Sequence, residues 1–201
     1  MPYALVLQLP SAEALPSALL SRLPEPDYTD EKRMRFIVEE GFSLSGADAA
    51  LLNSRQIDHA VLPDMAFGEL GLIVSDMDST LITIECVDEI AAGVGLKDRV
   101  AEITERSMRG ELDFEQSLRS RVALLAGLDE RVLADVYENV LRLSPGAEFL
   151  LDECKAHGVK FMLVSGGFTF FTERLQQRLG FEYQHANVLE IENGKLTGRL
   201  K

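Results

Sequence analysis

Two aspartates separated by one residue carry the clearest chemical signal in the sequence. Asp76 and Asp78 directly follow a short apolar run, residues 70–75 (LGLIVS). Two carboxylates this close repel each other, so they are a poor structural feature but suit a hard divalent cation such as Mg²⁺. With a cation bound, one carboxylate can attack phosphorus while the other transfers protons, and we assign attack to Asp76 and acid–base work to Asp78. The alternative is that both merely cap the next helix.

A second polar cluster follows another apolar run, residues 159–164 (VKFMLV). Ser165, Gly166 and Gly167 stand there, directly before a predicted helix. Glycines let the backbone approach a ligand, and a hydroxyl with exposed amides can hold the oxygens of a phosphoryl group. A plain glycine turn is the alternative reading.

The two apolar runs predict strands of a parallel sheet, buried on both faces. Between them, residues 85–142 show apolar positions at helical spacing, for example over 114–125. We therefore expect a helical insertion at the carboxyl edge of the sheet, where α/β folds bind ligands. Further on, Asn193-Gly194 predicts a hairpin between strands at 183–191 and 196–200.

The first third of the chain reads as a separate small α/β domain, residues 1–68, followed by a larger one, residues 69–201. In the small domain, we predict strands at 3–9, 34–39 and 58–63 and helices at 11–23 and 45–55. It contains no catalytic cluster.

Charge and cysteine content restrict the partners. The net charge of −13 would repel nucleic acids and anionic membranes, so we expect neither as a partner, and a phosphate site must bring local positive charge. Cys86 and Cys154 lack CxxC spacing, which indicates free thiols in a reducing compartment, and we expect a cytoplasmic location. No apolar run reaches membrane-spanning length and no secretory leader is recognisable.

Four segments in order resemble the phosphoserine phosphatases of the haloacid dehalogenase superfamily: LIVSDMDSTLITIECVDEIA, DFEQSLRSRVALL, LVSGGF and ANVLEIENGKLTG. The resemblance covers about residues 70–200. It implies a Rossmann-like parallel sheet core with a helical cap at about 85–142. It also implies Mg²⁺-dependent hydrolysis of O-phosphoserine through an aspartyl phosphate, the last step of a serine-making route.

The resemblance also implies roles for individual residues. Asp76 becomes the nucleophile and Asp78 the general acid and base, with Mg²⁺ held by the Asp76 carboxylate and the Asp78 main-chain carbonyl. Ser165 and the Gly166 amide match the positions that bind the phosphate.

In the cap, the family's substrate contacts fall on Glu85 and Arg121. Glu85 can receive the ammonium group of the substrate, and Arg121 can form a forked interaction with its carboxylate. Taken alone, Glu85 could be an acid at a helix start and Arg121 a surface ion-pair partner. Met108 and Phe114 are expected to wall the pocket, although core packing would explain them equally well.

The sequence departs from the family pattern at its end. A downstream lysine and a GDGxND-type motif are absent, and Lys195 and Lys201 stand too early to replace that lysine. We therefore expect a truncated form with weakened Mg²⁺ binding and little activity, and with an open sheet edge that could pair in a homodimer. Alternatives are a phosphatase or phosphotransferase for another small phosphomonoester such as phosphohomoserine, a receiver-like phospho-aspartate module, or an assembly fragment.

Overall fold

The structure, a computed structural model, describes residues 2–10 and 15–201. The chain divides into two compact units, with the boundary between Ala66 and Phe67.

The N-terminal unit is built on an antiparallel sheet with strand order β2-β3-β1-β4. Its elements are β1 (Tyr3–Gln8), α1 (Ser17–Leu20), β2 (Tyr28–Thr29), β3 (Arg33–Val38), α2 (Gly46–Ser54) and β4 (Asp58–Pro63). Leu5 of the central strand lies opposite Phe36 and Val61, and Leu5, Phe36 and Leu52 belong to one buried core. The predicted strands and the second helix are confirmed. Of the helix predicted at 11–23, residues 11–14 lie outside the described part, and the described remainder is helical only in α1.

The larger unit is built on a parallel sheet with strand order β5-β6-β7 and an antiparallel hairpin, β8–β9. Its strands are β5 (Leu72–Ser75), β6 (Lys160–Phe168), β7 (Tyr183–Asn187), β8 (Leu189–Glu192) and β9 (Lys195–Leu200). Its helices are α3 (Cys86–Gly93), α4 (Lys97–Met108), α5 (Phe114–Ala123), α6 (Arg131–Asp135), α7 (Ala147–His157) and α8 (Thr169–Leu179). Short helical turns lie at Phe67–Glu69 and Val136–Val140. The predicted α/β class with a parallel sheet is confirmed.

Local sequence signals explain where the helices around the site begin and end. Asp113 starts α5 through a reciprocal capping arrangement with Gln116, in which each side chain accepts a hydrogen bond from the other's backbone amide. Gly158 and Gly180 end α7 and α8 with φ of 70° and 72°, a left-handed conformation that glycine adopts without strain. Helices between β5 and β6 share one hydrophobic core with the sheet, through residues such as Ile90 and Phe161.

The prediction that β5 is buried on both faces is wrong for this chain. Leu72 is 45% exposed and Val74 59% exposed, while Ile73 packs against the core. Successive side chains of a strand point to opposite faces, and among the described residues only one face of β5 is covered. A continuous apolar run does not show whether both faces of its strand are covered.

The strand predicted at 183–191 is in fact two strands in different sheets. The chain leaves the parallel sheet after Asn187, and β8 then pairs with β9. The predicted hairpin turn is confirmed, since Asn193 and Gly194 both have positive φ, 51° and 76°. Within the described part of the chain, no helix combines the length and apolar character needed to cross a bilayer.

Candidate active site

A cavity of about 160 Å³ lies at the carboxyl ends of β5 and β6. Parallel pairing of the two strands, with Ser75 opposite Leu163, brings the segments that follow them to the same edge of the sheet. All six site residues expected from the sequence line the cavity: Asp76, Asp78, Glu85, Arg121, Ser165 and Gly166. The other lining residues are Val87, Phe114, Leu118 and Gly167.

Asp76 is held at the start of a single irregular turn, Met77–Leu81. Its Oδ1 accepts a hydrogen bond of 2.7 Å from the Met77 amide, and the turn closes where the Ile82 amide donates to the Met77 carbonyl at 3.0 Å. Met77 is completely buried and anchors the turn, while Asp76 stays exposed at the cavity. Asp76 therefore caps this turn and also lines the cavity, so the two readings of its role do not exclude each other.

Asp78 occupies a different environment from Asp76, although only one residue separates them. Its side chain is largely buried, and its Oδ1 has no hydrogen-bond partner among the described residues. Burial, with smaller contributions from the charges of Glu85 and Asp76, raises the pKa of Asp78 to about 6. A carboxyl group with such a pKa can be protonated or ionised near neutral pH, as a general acid and base requires.

The segment after Asp78 folds back and fixes Glu85. Ser79 has a left-handed backbone (φ 53°), and its amide donates to the Ile84 carbonyl at 3.1 Å. The Ser79 hydroxyl donates to Glu85 Oε1 at 2.7 Å. Glu85 precedes α3 but makes no capping hydrogen bond with its side chain, so it does not act as a helix cap.

The Ser165-Gly166-Gly167 segment lies inside β6, whose pairing with β7 shifts register between Val164 and Phe168. The structure has a bulged strand here rather than the plain glycine turn of the alternative reading. Ser165 is buried, and its Oγ accepts a hydrogen bond of 2.8 Å from the Gly167 amide.

Asn187 supports this segment and was not found from the sequence. Its Nδ2 donates to the Gly166 carbonyl at 2.9 Å from the end of the neighbouring strand β7. A single Asn in the middle of the strand predicted at 183–191 gave no signal of this role, because the strand order was not known.

Phe114 and Met108, both proposed as pocket walls, differ in position. Phe114 lines the cavity although it is 66% exposed, and a Cβ built on Gly166 would lie 2.8 Å from its Cζ. Met108 is 85% exposed and is not among the described lining residues. Neither residue is in the buried core, so core packing does not explain them.

Arg121 is the one cationic side chain among the described residues that line the cavity. Its Nε is buried without a hydrogen-bond partner, and no ion pair within 4.0 Å involves it in the described part of the chain. The surface ion-pair reading is therefore not supported. Burial raises the pKa of Asp88, and the nearby charge of Arg121 partly opposes this shift. The guanidinium nitrogen Nε of Arg121 is therefore available to a polar or anionic group that enters the cavity.

The carboxylates suit a hard cation only with help from other oxygens. Among the described residues no cluster of three or more His, Cys, Asp or Glu side chains could hold a metal ion. Asp76 and the main chain at Asp78 offer oxygen donors of the kind that Mg²⁺ prefers, and Mg²⁺ commonly takes one or two carboxylates with waters and phosphate oxygens. The donor chemistry therefore fits Mg²⁺.

Comparison with known proteins identifies the family of the chain. Residues 73–201 match the haloacid dehalogenase-like hydrolase family. The phosphoserine phosphatase of Albidiferax ferrireducens is 55% identical over 139 residues, which are 69% of this chain and 59% of the relative. That of Streptomyces coelicolor is 40% identical over 208 aligned positions, covering 97% of this chain and 50% of the relative. The crystal structure of a probable phosphoserine phosphatase from Vibrio cholerae, in unliganded form, superposes with a TM-score of 0.74 at 35% identity, covering 98% of this chain and 62% of that chain.

The chain therefore belongs to the haloacid dehalogenase-like hydrolase family. This confirms the resemblance noted from the motifs. The chain spans about half of the length of several curated relatives, 50% of the Streptomyces protein and 59% of the Albidiferax protein.

Proposed function

We propose that the protein is a Mg²⁺-dependent phosphoserine phosphatase that forms an aspartyl phosphate on Asp76. One observation carries this proposal: a single cavity brings together two carboxylates in different environments, a third carboxylate held by a serine, an arginine whose buried Nε has no partner, and a glycine-rich segment. The phosphoserine phosphatase names of the relatives support the substrate.

In the first step, a carboxylate oxygen of Asp76 attacks phosphorus, and the bond between phosphorus and the serine oxygen breaks. Asp78, protonated at its raised pKa, gives its proton to the departing alkoxide. The Ser165 hydroxyl and the Gly166 amide hold oxygens of the phosphoryl group while its charge is redistributed. Bound Mg²⁺ would supply charge neutralisation between the Asp76 carboxylate and the phosphate.

In the second step, Asp78, now ionised, takes a proton from a water molecule whose oxygen attacks the phosphorus of the aspartyl phosphate. The acyl–phosphate bond breaks, and Asp76 is released as a carboxylate with inorganic phosphate as product. Asp78 is protonated again and the cycle is balanced.

Substrate selection is assigned to the two cap residues that line the cavity. Arg121 would pair with the carboxylate of phosphoserine, since its buried Nε lacks a partner. Glu85 would accept the ammonium group, because its carboxylate lines the same cavity as Arg121.

We also propose a cellular compartment, an oligomeric state and a pathway position. Free, buried Cys86 and Cys154 support a reducing compartment such as the cytoplasm. The edges of the sheet at β5 and β7, unpaired in the described part of the chain, support a homodimer. The last step of serine formation is the pathway position that the proposed reaction implies.

Phosphate release from O-phosphoserine tests the proposal. We expect the full-length protein to release phosphate with Mg²⁺, to lose this activity in EDTA and to lose it on Asp76→Asn. Phosphohomoserine serves as the competing substrate. Faster turnover of phosphohomoserine, or release that survives Asp76→Asn, would contradict the proposal.

A further inference from the structure

Ser79 contacts the cavity residue Glu85 rather than the cavity itself. Its hydroxyl donates to Glu85 Oε1 at 2.7 Å, and its amide donates to the Ile84 carbonyl at 3.1 Å. Ser79 is not among the described residues that line the cavity, whereas Glu85 is. Ser79 thus holds the segment before α3 through its backbone amide, and it holds the Glu85 carboxylate through its hydroxyl.

The backbone of Ser79 is unusual for its residue type. Its φ of 53° lies in the left-handed region, which costs a non-glycine residue free energy and persists only where other contacts maintain it. A glycine would be the ordinary choice for this conformation. A serine at this position therefore indicates that its hydroxyl contributes something that glycine cannot.

Glu85 needs such support because little else restrains its side chain. It is exposed, it makes no capping bond to α3, and a glutamate loses substantial side-chain entropy when it is fixed in one rotamer. The bond from Ser79 occupies Oε1 and leaves Oε2 for a further donor. A carboxylate fixed in this way is preorganised to accept a cationic group of a ligand.

We propose that Ser79 is a positioning residue for substrate selection: its hydroxyl orients Glu85 to receive the ammonium group of the substrate. This inference rests on the proposed function. It predicts an effect confined to substrates with an ammonium group, because Ser79 acts through Glu85 and not through the phosphate.

The test compares two substrates in the full-length protein. One is O-phosphoserine, and the other is 3-phosphooxypropanoate, which keeps the phosphate and the carboxylate but lacks the ammonium group. Ser79→Ala removes the hydroxyl, and Ser79→Gly removes it while relieving the left-handed backbone, so at least the glycine variant should fold. Thr83→Ala is the matched control, since Thr83 lies in the same segment but its hydroxyl faces the Arg142 carbonyl.

We expect KM for phosphoserine to rise about tenfold in both Ser79 variants, the effect of one lost hydrogen bond, with kcat changed less. KM for 3-phosphooxypropanoate should stay within about twofold, and the Thr83 control should match the wild type on both substrates. Calorimetric titration of phosphoserine into Asp76→Asn, with and without Ser79→Gly, should show the same tenfold loss without turnover.

Two results would overturn the role of Ser79. The first is an equal change on both substrates, which would indicate a general structural defect. The second is wild-type KM values in the Ser79 variants. If the wild-type protein itself releases no phosphate from phosphoserine, the proposed function fails and this inference fails with it. If the wild type turns over phosphoserine normally and the Ser79 variants are unchanged, only the role of Ser79 is excluded and the proposed function stands.

Discussion

Phe114 and Gly166 are packed so closely that a Cβ on Gly166 would lie 2.8 Å from Phe114 Cζ. Phe114 is the first residue of α5 in the helical insertion, and Gly166 belongs to the proposed phosphate-binding segment of β6. The absence of a side chain at Gly166 therefore lets an aromatic ring from the insertion lie directly over the place proposed for phosphate.

Gly166→Ala should displace the ring rather than unfold the protein. Phe114 is mostly exposed, so its ring can move away at a stability cost below about 1 kcal/mol. The displaced ring no longer walls the cavity, and we expect KM for phosphoserine to rise several-fold. Steady-state kinetics check this, with Phe114→Ala and the double variant completing a cycle. Strictly additive effects in the cycle would contradict the proposed contact.

Gly167→Ala, unlike Gly166→Ala, should clearly lower the stability of the fold. A Cβ on Gly167 would lie 2.9 Å from Met77 Cε and 3.1 Å from Ser165 Oγ, and both side chains are buried. Overpacking of this kind costs about 1–3 kcal/mol. Urea unfolding of the two glycine variants side by side measures the difference. Equal stability of the Gly166 and Gly167 variants would show that the packing around Met77 is looser than described.

Arg121→Ala should weaken binding of substrates that carry a carboxylate. We expect KM for phosphoserine to rise roughly 10- to 100-fold, as for the loss of a charge-assisted hydrogen bond. Phosphoethanolamine, which lacks the carboxylate, should be affected little. Arg119→Ala is the control, because Arg119 lies on the same helix but is exposed and paired with Glu115 at 2.8 Å. Equal losses on both substrates would show that Arg121 does not bind the substrate carboxylate.

Asp78→Asn should stabilise the metal-free protein at neutral pH. The folded-state pKa of about 6 exceeds the ordinary value of 3.8, so Asp78 stabilises the fold fully below about pH 4 and this contribution is lost as pH rises through 6. The variant should therefore be more stable by at most about 3 kcal/mol at pH 7.5 in EDTA. Below pH 4 the variant and the wild type should have the same free energy of unfolding. Urea unfolding at both pH values tests this, and a difference independent of pH would contradict it.

Several features of the site could be predicted from the sequence because they depend on local patterns. Asp76 and Asp78 directly follow one apolar run and Ser165 directly follows another, so parallel pairing of these two runs is enough to bring the three residues to one edge of the sheet. The Asn193-Gly194 turn likewise depends only on backbone conformations that these residues adopt readily. The family motifs pointed to Glu85 and Arg121, which the structure places around the same cavity.

Other features depend on contacts between distant segments and were therefore missed. The bond from Asn187 to Gly166 joins two neighbouring strands, and the bulge in β6 arises from its pairing with β7. The exposed face of β5 depends on which elements cover the sheet, and an apolar run carries no such information. The bond from Ser79 to Glu85 is local but depends on a left-handed backbone that a serine does not signal.

The most direct test of the account is to locate a phosphoryl mimic at atomic resolution. A crystal structure of the full-length protein with Mg²⁺ and beryllium fluoride should show beryllium bonded to a side-chain oxygen of Asp76, with fluorine atoms near Ser165 and the Gly166 amide. Beryllium fluoride bonded to Asp78 or to any other residue would contradict the assignment of Asp76 as the nucleophile.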